Sequence, residues 1–293
     1  MADILRVNNL VKSYGTFALN HVDLTVPQGC VTGFIGSNGA GKSTTIRSIL
    51  GMTIPDSGTI ELFGRPTTNY APSPQDKERI GVVFDTCPFP GDCRVRDVGS
   101  IGKAAFQQWN KKYFDQLLTH FGISEQKQIK DLSRGMGMKL QLAFALSHEP
   151  ELLILDEATA GLDPLARDEV LEMLQGFMQN EAHGILLSSH ITTDLEKIAD
   201  HIVCIDNGKI VFNRTIDSIC DETGIAHCTS KDAEALLKST LFDPNEIRIM
   251  RNSYSTDVLV PDRILLRENF PHIACDRASL DEYMRFILKG ETR

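Results

Sequence analysis

Five short runs rich in apolar residues, 31–35, 59–63, 80–84, 152–155 and 184–188, are separated by glycine- or proline-bearing turns and by stretches of helical periodicity. Apolar runs of this length, bounded by turn residues, predict strands buried in a sheet. Alternation at 23–26, closed by Pro27-Gln28-Gly29, predicts further strands within residues 1–30. Helical patterns are expected at 45–50 and 137–147, and Asp163-Pro164 should open another helix with Asp as N-cap and Pro at the first position. Residues 66–78 are polar and proline-containing and predict a loop. Glycine and proline dominate from 85 to 102, and helical patterns follow. Phe106, Trp109, Tyr113, Phe114, Leu117, Leu118 and Phe121 then recur at helix-like spacing, the pattern of a packed core face. Asn207-Gly208 inside 201–212 is the signal of a hairpin with a type I′ turn. The repeated order of strand then helix implies an α/β fold with a largely parallel sheet.

Beyond about residue 213 this texture stops. A strand at 225–229, a helix at 231–240, strands at 246–250 and 256–260, a helix at 262–269 and a strand at 272–276 are expected. That β-α-β-β-α-β order suits a small α+β domain of ferredoxin-like type. Ser279 and Glu282 form a capping box for a last helix. Two domains are therefore expected, 1–213 and 214–293.

Composition narrows the partners. The 293 residues carry a formal net charge of −9, which argues against nucleic acid as the main partner, because no basic excess is available to neutralise phosphates. Seven cysteines without a C-x-x-C pair fit a reducing cytoplasm. The N-terminus lacks the basic flank and apolar core of a signal peptide, and no run of about 18 apolar residues occurs. Any membrane role would have to come through a partner.

The chemistry concentrates in a few motifs. Gly36-Ser37-Asn38-Gly39-Ala40-Gly41-Lys42-Ser43-Thr44 lies between an apolar run and a helical pattern, the strand, glycine loop and helix of a phosphate-binding P-loop. Its glycines let successive N–H groups face one centre, and the helix N-terminus adds positive potential. Lys42 can reach the β- and γ-phosphates, and the Ser43 hydroxyl can ligate Mg²⁺. The run 152–155 ends in Asp156 and Glu157, which places two carboxylates at the sheet edge: Asp156 to hold Mg²⁺ and Glu157 to polarise a water for in-line attack. Leu132-Ser133-Arg134-Gly135-Met136 precedes a helix; Ser133 can cap it, and Gly135 lets a phosphate approach the backbone.

Taken in order, the P-loop, the L-S-x-G segment, the strand ending in Asp-Glu, Gly161-Leu162-Asp163 and Ser188-Ser189-His190 resemble the ATP-binding cassette of ABC transporters over residues 3–213. The resemblance implies a P-loop NTPase cassette with a helical subdomain at about 86–150. It implies ATP and Mg²⁺ as ligands, Tyr14 as an aromatic against adenine, and His190 as a switch histidine near the γ-phosphate. It also implies that Asp163 couples two sites across a dimer. In that family ATP is sandwiched between the P-loop of one subunit and the L-S-x-G segment of another, so a second cassette is implied, together with integral membrane permease subunits. The chain would then work as a peripheral protein on the cytoplasmic face of the cell membrane, as an exporter-type ATPase. The alternatives are a soluble non-transport ATPase and a regulatory cassette with weak hydrolysis.

Three positions depart from the family pattern. Asp85 stands where the family usually has Gln, a residue that touches Mg²⁺ and the attacking water. A carboxylate there can ligate Mg²⁺ but repels the γ-phosphate, so Asp85 is expected to slow hydrolysis or to make it depend on the partner. Arg134 and Met136 replace Gly and Gln, while Ser133 and Gly135 remain. Ala158 replaces the usual Pro after the catalytic Glu.

Overall fold

A computed structural model describes residues 2–251 and 255–291. The chain separates into two compact units, Met1–Asn213 and Arg214–Arg293.

The first unit runs β1 (Asp3–Tyr14), β2 (Phe17–Pro27), β3 (Val31–Ile35), α1 (Lys42–Ile49), β4 (Ser57–Leu62), β5 (Arg65–Pro66), α2 (Pro74–Glu78) and β6 (Ile80–Val83). It continues with α3 (Val95–Ala105), α4 (Lys111–His120), α5 (Arg134–Leu146), β7 (Leu152–Asp156), α6 (Pro164–Phe177), β8 (Gly184–Ser189), α7 (Thr192–Ile198), β9 (His201–Asp206) and β10 (Lys209–Thr215). Two sheets result. One is antiparallel, in the order β2-β1-β4-β5; the other follows β10-β9-β3-β8-β7-β6. Within the second, β9, β3, β8, β7 and β6 pair in parallel, so their C-terminal ends open on one edge. Strands β3, β7 and β8 are buried at every position, which is why they read as unbroken apolar runs.

One core joins the two sheets to the helix after β3. Leu5, Val7, Leu10, Val22 and Leu24 pack with Phe34, Ile46, Ile49, Ile154, Leu186 and Val203. Each side chain buried this way contributes roughly 1.5–3 kcal/mol. The core therefore fixes α1 against β3, and with it the loop between them.

Two expectations are corrected. Residues 66–78 are not all loop: α2 forms there because Ser73 and Asp76 make a reciprocal capping box and Pro74 sits at the first position. A helix also begins well before residue 102. The Asp97 carboxylate accepts from the Arg94 N–H at 2.8 Å at the start of α3. Gly99 and Gly102 lie inside this helix because its neighbours come close. A Cβ on Gly102 would fall 2.4 Å from the Trp109 ring, and one on Gly99 would fall 3.2 Å from Phe114. Of the aromatic series only Phe114, Leu117, Leu118 and Phe121 are buried; Phe106 and Trp109 are half-buried, Tyr113 is exposed, and the series is not one helical face. Phe106 and Trp109 precede α4, whose N-cap is Asn110. Phe106 stacks on His148 at 3.9 Å, and Trp109 tilts against Phe114 and Phe144.

The second unit runs β11 (Gly224–Cys228), α8 (Ser230–Lys238), β12 (Arg248–Arg251), β13 (Thr256–Val260), α9 (Arg263–Asn269), β14 (Ala274–Arg277) and α10 (Leu280–Lys289). Its sheet order is β12-β13-β11-β14 and all its pairings are antiparallel, so the β-α-β-β-α-β order closes into one four-stranded sheet. Ala226, Cys228, Ile249, Val258, Val260 and Cys275 face its own core with Ala233, Leu236 and Leu266. Ser279 and Glu282 form the expected capping box at α10.

Candidate functional site

The loop after β3 is shaped by what surrounds it. A Cβ on Gly36 would lie 2.2 Å from the Ile205 carbonyl oxygen, so only glycine fits. Gly41, at φ 122°, adopts a backbone that other residues rarely take, and its Cβ would meet Leu19 and Phe17. The Gly208 N–H donates to the Ala40 carbonyl at 2.9 Å, tying the β9–β10 turn to the loop. No side chain caps α1, and its first turn carries no acid, so its leading N–H groups remain open to an anion.

Parallel register brings the other groups to this loop. Ile35 pairs with Ser189, and Asp156 with Ser188, so the ends of β3, β7 and β8 coincide. Binding sites in parallel sheets occur at this edge. A cavity of about 560 Å³ opens here, lined by Phe17, Asn38, Gly39, Gly41, Lys42, Ser43, Thr44, Asp85, Asp156 and Glu157.

Inside it, Lys42 is buried. Its Nζ donates to the Gly36 carbonyl at 2.7 Å and lies 3.1 Å from Glu157 Oε1. This ion pair is close but not aligned as a hydrogen bond, and Oε1 accepts none. Glu157 Oε2 lies 2.6 Å from His190 Nδ1. Because an ionised carboxylate only accepts, Nδ1 is the donor of this contact. Glu157 has φ 55°, a left-handed conformation that costs a non-glycine residue of order 1 kcal/mol and that here directs its carboxylate between Lys42 and His190.

Asp156 is buried, and burial pushes its carboxyl above the ordinary range. The neighbouring Ser43 and Ser188 hydroxyls and Lys42 oppose that rise, while Glu157 adds to it. Its Oδ1 has no hydrogen-bond partner. A buried, unpartnered carboxylate oxygen beside a serine hydroxyl is a donor set that suits a hard divalent cation.

The remaining predicted residues are placed differently. Tyr14 stands exposed at the end of β1 with Lys12 Nζ 5.5 Å from its ring; it does not line the cavity, whereas Phe17 does. Sequence reasoning missed Phe17, although an aromatic directly after the Tyr14-Gly15-Thr16 turn was the available signal. Ser133, Gly135 and Asp163 are likewise outside the cavity lining. The Ser133 hydroxyl accepts from the Met136 N–H as the cap of α5 and lines a second cavity with Asp85 and Arg134. Asp163 caps α6, accepting from the Ala166 N–H at 3.0 Å. Asp85 lies between the two cavities and pairs with Arg134.

A family profile described as ABC transporter matches residues 19–160. The bacitracin transport ATP-binding protein BcrA of Bacillus licheniformis is 35% identical over 223 residues, 75% of this chain and 72% of that protein. The Nod factor export ATP-binding protein I of Cupriavidus metallidurans is 36% identical over 231 residues, 76% of this chain and 75% of that protein. The chain belongs to the ATP-binding proteins of ABC transporters. Among solved structures, an ATP-binding subunit of an ABC transporter superposes with a TM-score of 0.67 at 28% identity, covering 74% of this chain and 91% of that one. As a member of this family the chain is an ATPase whose activity is coupled to transport. Among the described residues no helix is long and apolar enough to cross a membrane.

Proposed function

We propose that this chain is the ATP-hydrolysing subunit of an exporter, acting through separate integral membrane permease subunits on the cytoplasmic face of the membrane. The observation that carries the reading is the chain of contacts Lys42–Glu157–His190 at the joined ends of β3, β7 and β8. The exporter assignment draws on relatives named for bacitracin transport and Nod factor export.

Backbone N–H groups of residues 39–44, Lys42 and the α1 N-terminus hold the β- and γ-phosphates. Ser43 and Asp156 would hold Mg²⁺, which neutralises phosphate charge when bound. Glu157 is the base that takes a proton from the attacking water, and His190 orients it through Nδ1–H. Lys42 Nζ at 3.1 Å and His190 Nδ1 at 2.6 Å hold the Glu157 carboxylate in place from both sides. A γ-phosphate competes with Glu157 for Lys42, so the contact between the two side chains gives way when ATP binds.

Ser133 and Gly135 do not line the phosphate cavity of their own chain, which supports a site completed by a second cassette. Tyr14 or Phe17 supplies the aromatic surface for adenine, and the Phe17 position in the cavity lining favours it. Residues 214–293 act as an accessory domain for dimerisation or docking.

The test is twofold. Purified chain should release phosphate from ATP in a Mg²⁺-dependent way, and protein isolated from membranes in mild detergent should carry an integral membrane protein with it. A fully soluble protein with an active site would refute the transport half alone.

A further inference from the structure

The phosphate cavity is lined by three carboxylates, Asp85, Asp156 and Glu157, against one cation, Lys42. For a site that takes a polyphosphate this excess is unfavourable unless each acid is matched. Glu157 is matched by Lys42 and His190. Asp156, beside Ser43, suits a divalent cation. Asp85 is matched by Arg134, 49 residues along the chain.

Arg134 is otherwise a poor choice for its position. It is the first residue of α5, where a cation opposes the helix dipole. Room is made for it nonetheless: a Cβ on Gly161 would lie 2.8 Å from its Nη1. The backbone next to Asp85 is held by the same helix. Gln141 accepts from the Phe84 N–H at 3.0 Å and donates to the Phe84 carbonyl at 3.1 Å. Helix α5 thus fixes both the backbone and the charge of the Asp85 loop.

We infer that Arg134 is a positioning residue for ATP binding: its guanidinium cancels and orients the Asp85 carboxylate so that an acid at this place tolerates the γ-phosphate. The two departures from the family pattern are one compensated pair. The inference rests on the reading of the cavity as the ATP site. Both side chains are half exposed, so the pair adds little to stability, and its effect lies in the local charge.

The test is a double-mutant cycle in the full chain, reading KM for ATP, kcat and the unfolding temperature. Arg134→Gln should raise KM about tenfold with the unfolding temperature nearly unchanged. Arg134→Lys should retain most of the affinity. Asp85→Asn alone leaves the Arg134 cation unmatched beside the phosphates and should lower KM several-fold, whereas Asp85→Asn with Arg134→Gln should bring KM back toward the wild-type value, because no unmatched charge remains. A double variant as impaired as Arg134→Gln, or an Arg134→Gln indistinguishable from wild type, overturns the inference. Lys42→Ala separates the two levels. If it abolishes ATP binding while Arg134→Gln is silent, only this inference falls. If it binds ATP as wild type does, the cavity reading falls and takes the inference with it.

Discussion

Replacing Glu157 by Gln is the sharpest perturbation of the site, because it keeps the side chain's shape and removes only its charge and its basicity. The amide still fills the space between Lys42 and His190. Loss of a general base costs about 10²–10⁴ in rate, a barrier increase of about 3–5 kcal/mol. Binding should move the other way. At 3.1 Å, Glu157 and Lys42 attract each other by about 5 kcal/mol at an effective dielectric of 20. Desolvation of the buried pair offsets much of that gross figure. Without the competing carboxylate, Lys42 is released to the phosphates, and ATP should bind several-fold tighter. The assay pairs phosphate release with equilibrium binding of a fluorescent ATP analogue, in wild type and variant at equal Mg²⁺. Hydrolysis within about threefold of wild type would refute Glu157 as the base. Weaker binding would refute the competition for Lys42, whatever the rate. A wild type that binds ATP and never turns over would instead indicate a regulatory cassette.

Asp156→Asn should raise the unfolding temperature of the metal-free protein by a few degrees at neutral pH. Burial raises the folded-state pKa of Asp156, so the folded protein carries an ionisation penalty above the ordinary carboxylate value of about 4, and the gap between variant and wild type should close below it. Added Mg²⁺ should stabilise wild type only; equal stabilisation of the variant would refute the metal assignment. Gly208→Ala should destabilise the chain by about 2 kcal/mol or more, since its φ is +74° and the new Cβ would sit 1.8 Å from the Ala18 carbonyl oxygen. Because the Gly208 N–H holds the Ala40 carbonyl, ATP affinity should fall as well, and an unchanged melt and affinity would contradict both contacts. In the second unit, Asp257 first and then Asp276 raise the pKa of His227. The stability this gives is fully present below the unfolded value of about 6.5 and is lost as pH rises through the raised one. His227→Gln should therefore lower the unfolding temperature at pH 6 and leave it unchanged at about pH 9; a pH-independent difference would refute the pairing.

What the chain disclosed in advance follows the range of the forces involved. Strands β3, β7 and β8 were legible because burial on both faces demands continuous apolar residues. The P-loop was legible because its glycines answer a local demand, though the reason for Gly36, the Ile205 carbonyl, comes from a strand about 170 residues away. The β-α-β-β-α-β order of residues 214–293 was also readable, whereas the strand order β12-β13-β11-β14 depends on pairing that no local pattern encodes. Helix α3 was hidden by the two glycines that let Trp109 and Phe114 approach it. Residues that look like helix breakers in sequence are packing contacts in the fold.

The electrostatic matching of the site was hidden in the same way. Asp85 in isolation is a carboxylate beside a phosphate and predicts repulsion. Arg134 in isolation is an awkward cation at a helix start. Each stood out because it broke a local rule, yet neither position indicates its partner, since ion pairs have no sequence periodicity. The fold brings Asp85 to the edge of the cavity and α5 alongside it, and two unfavourable choices become one neutral pair. Under the inferred compensation an acid at this edge is compatible with hydrolysis, and the Asp85–Arg134 cycle decides between that and the slowing expected from Asp85 alone. A carboxylate slows phosphate chemistry by its unbalanced charge, and here the balance is supplied from the first turn of the helix that also pins Phe84.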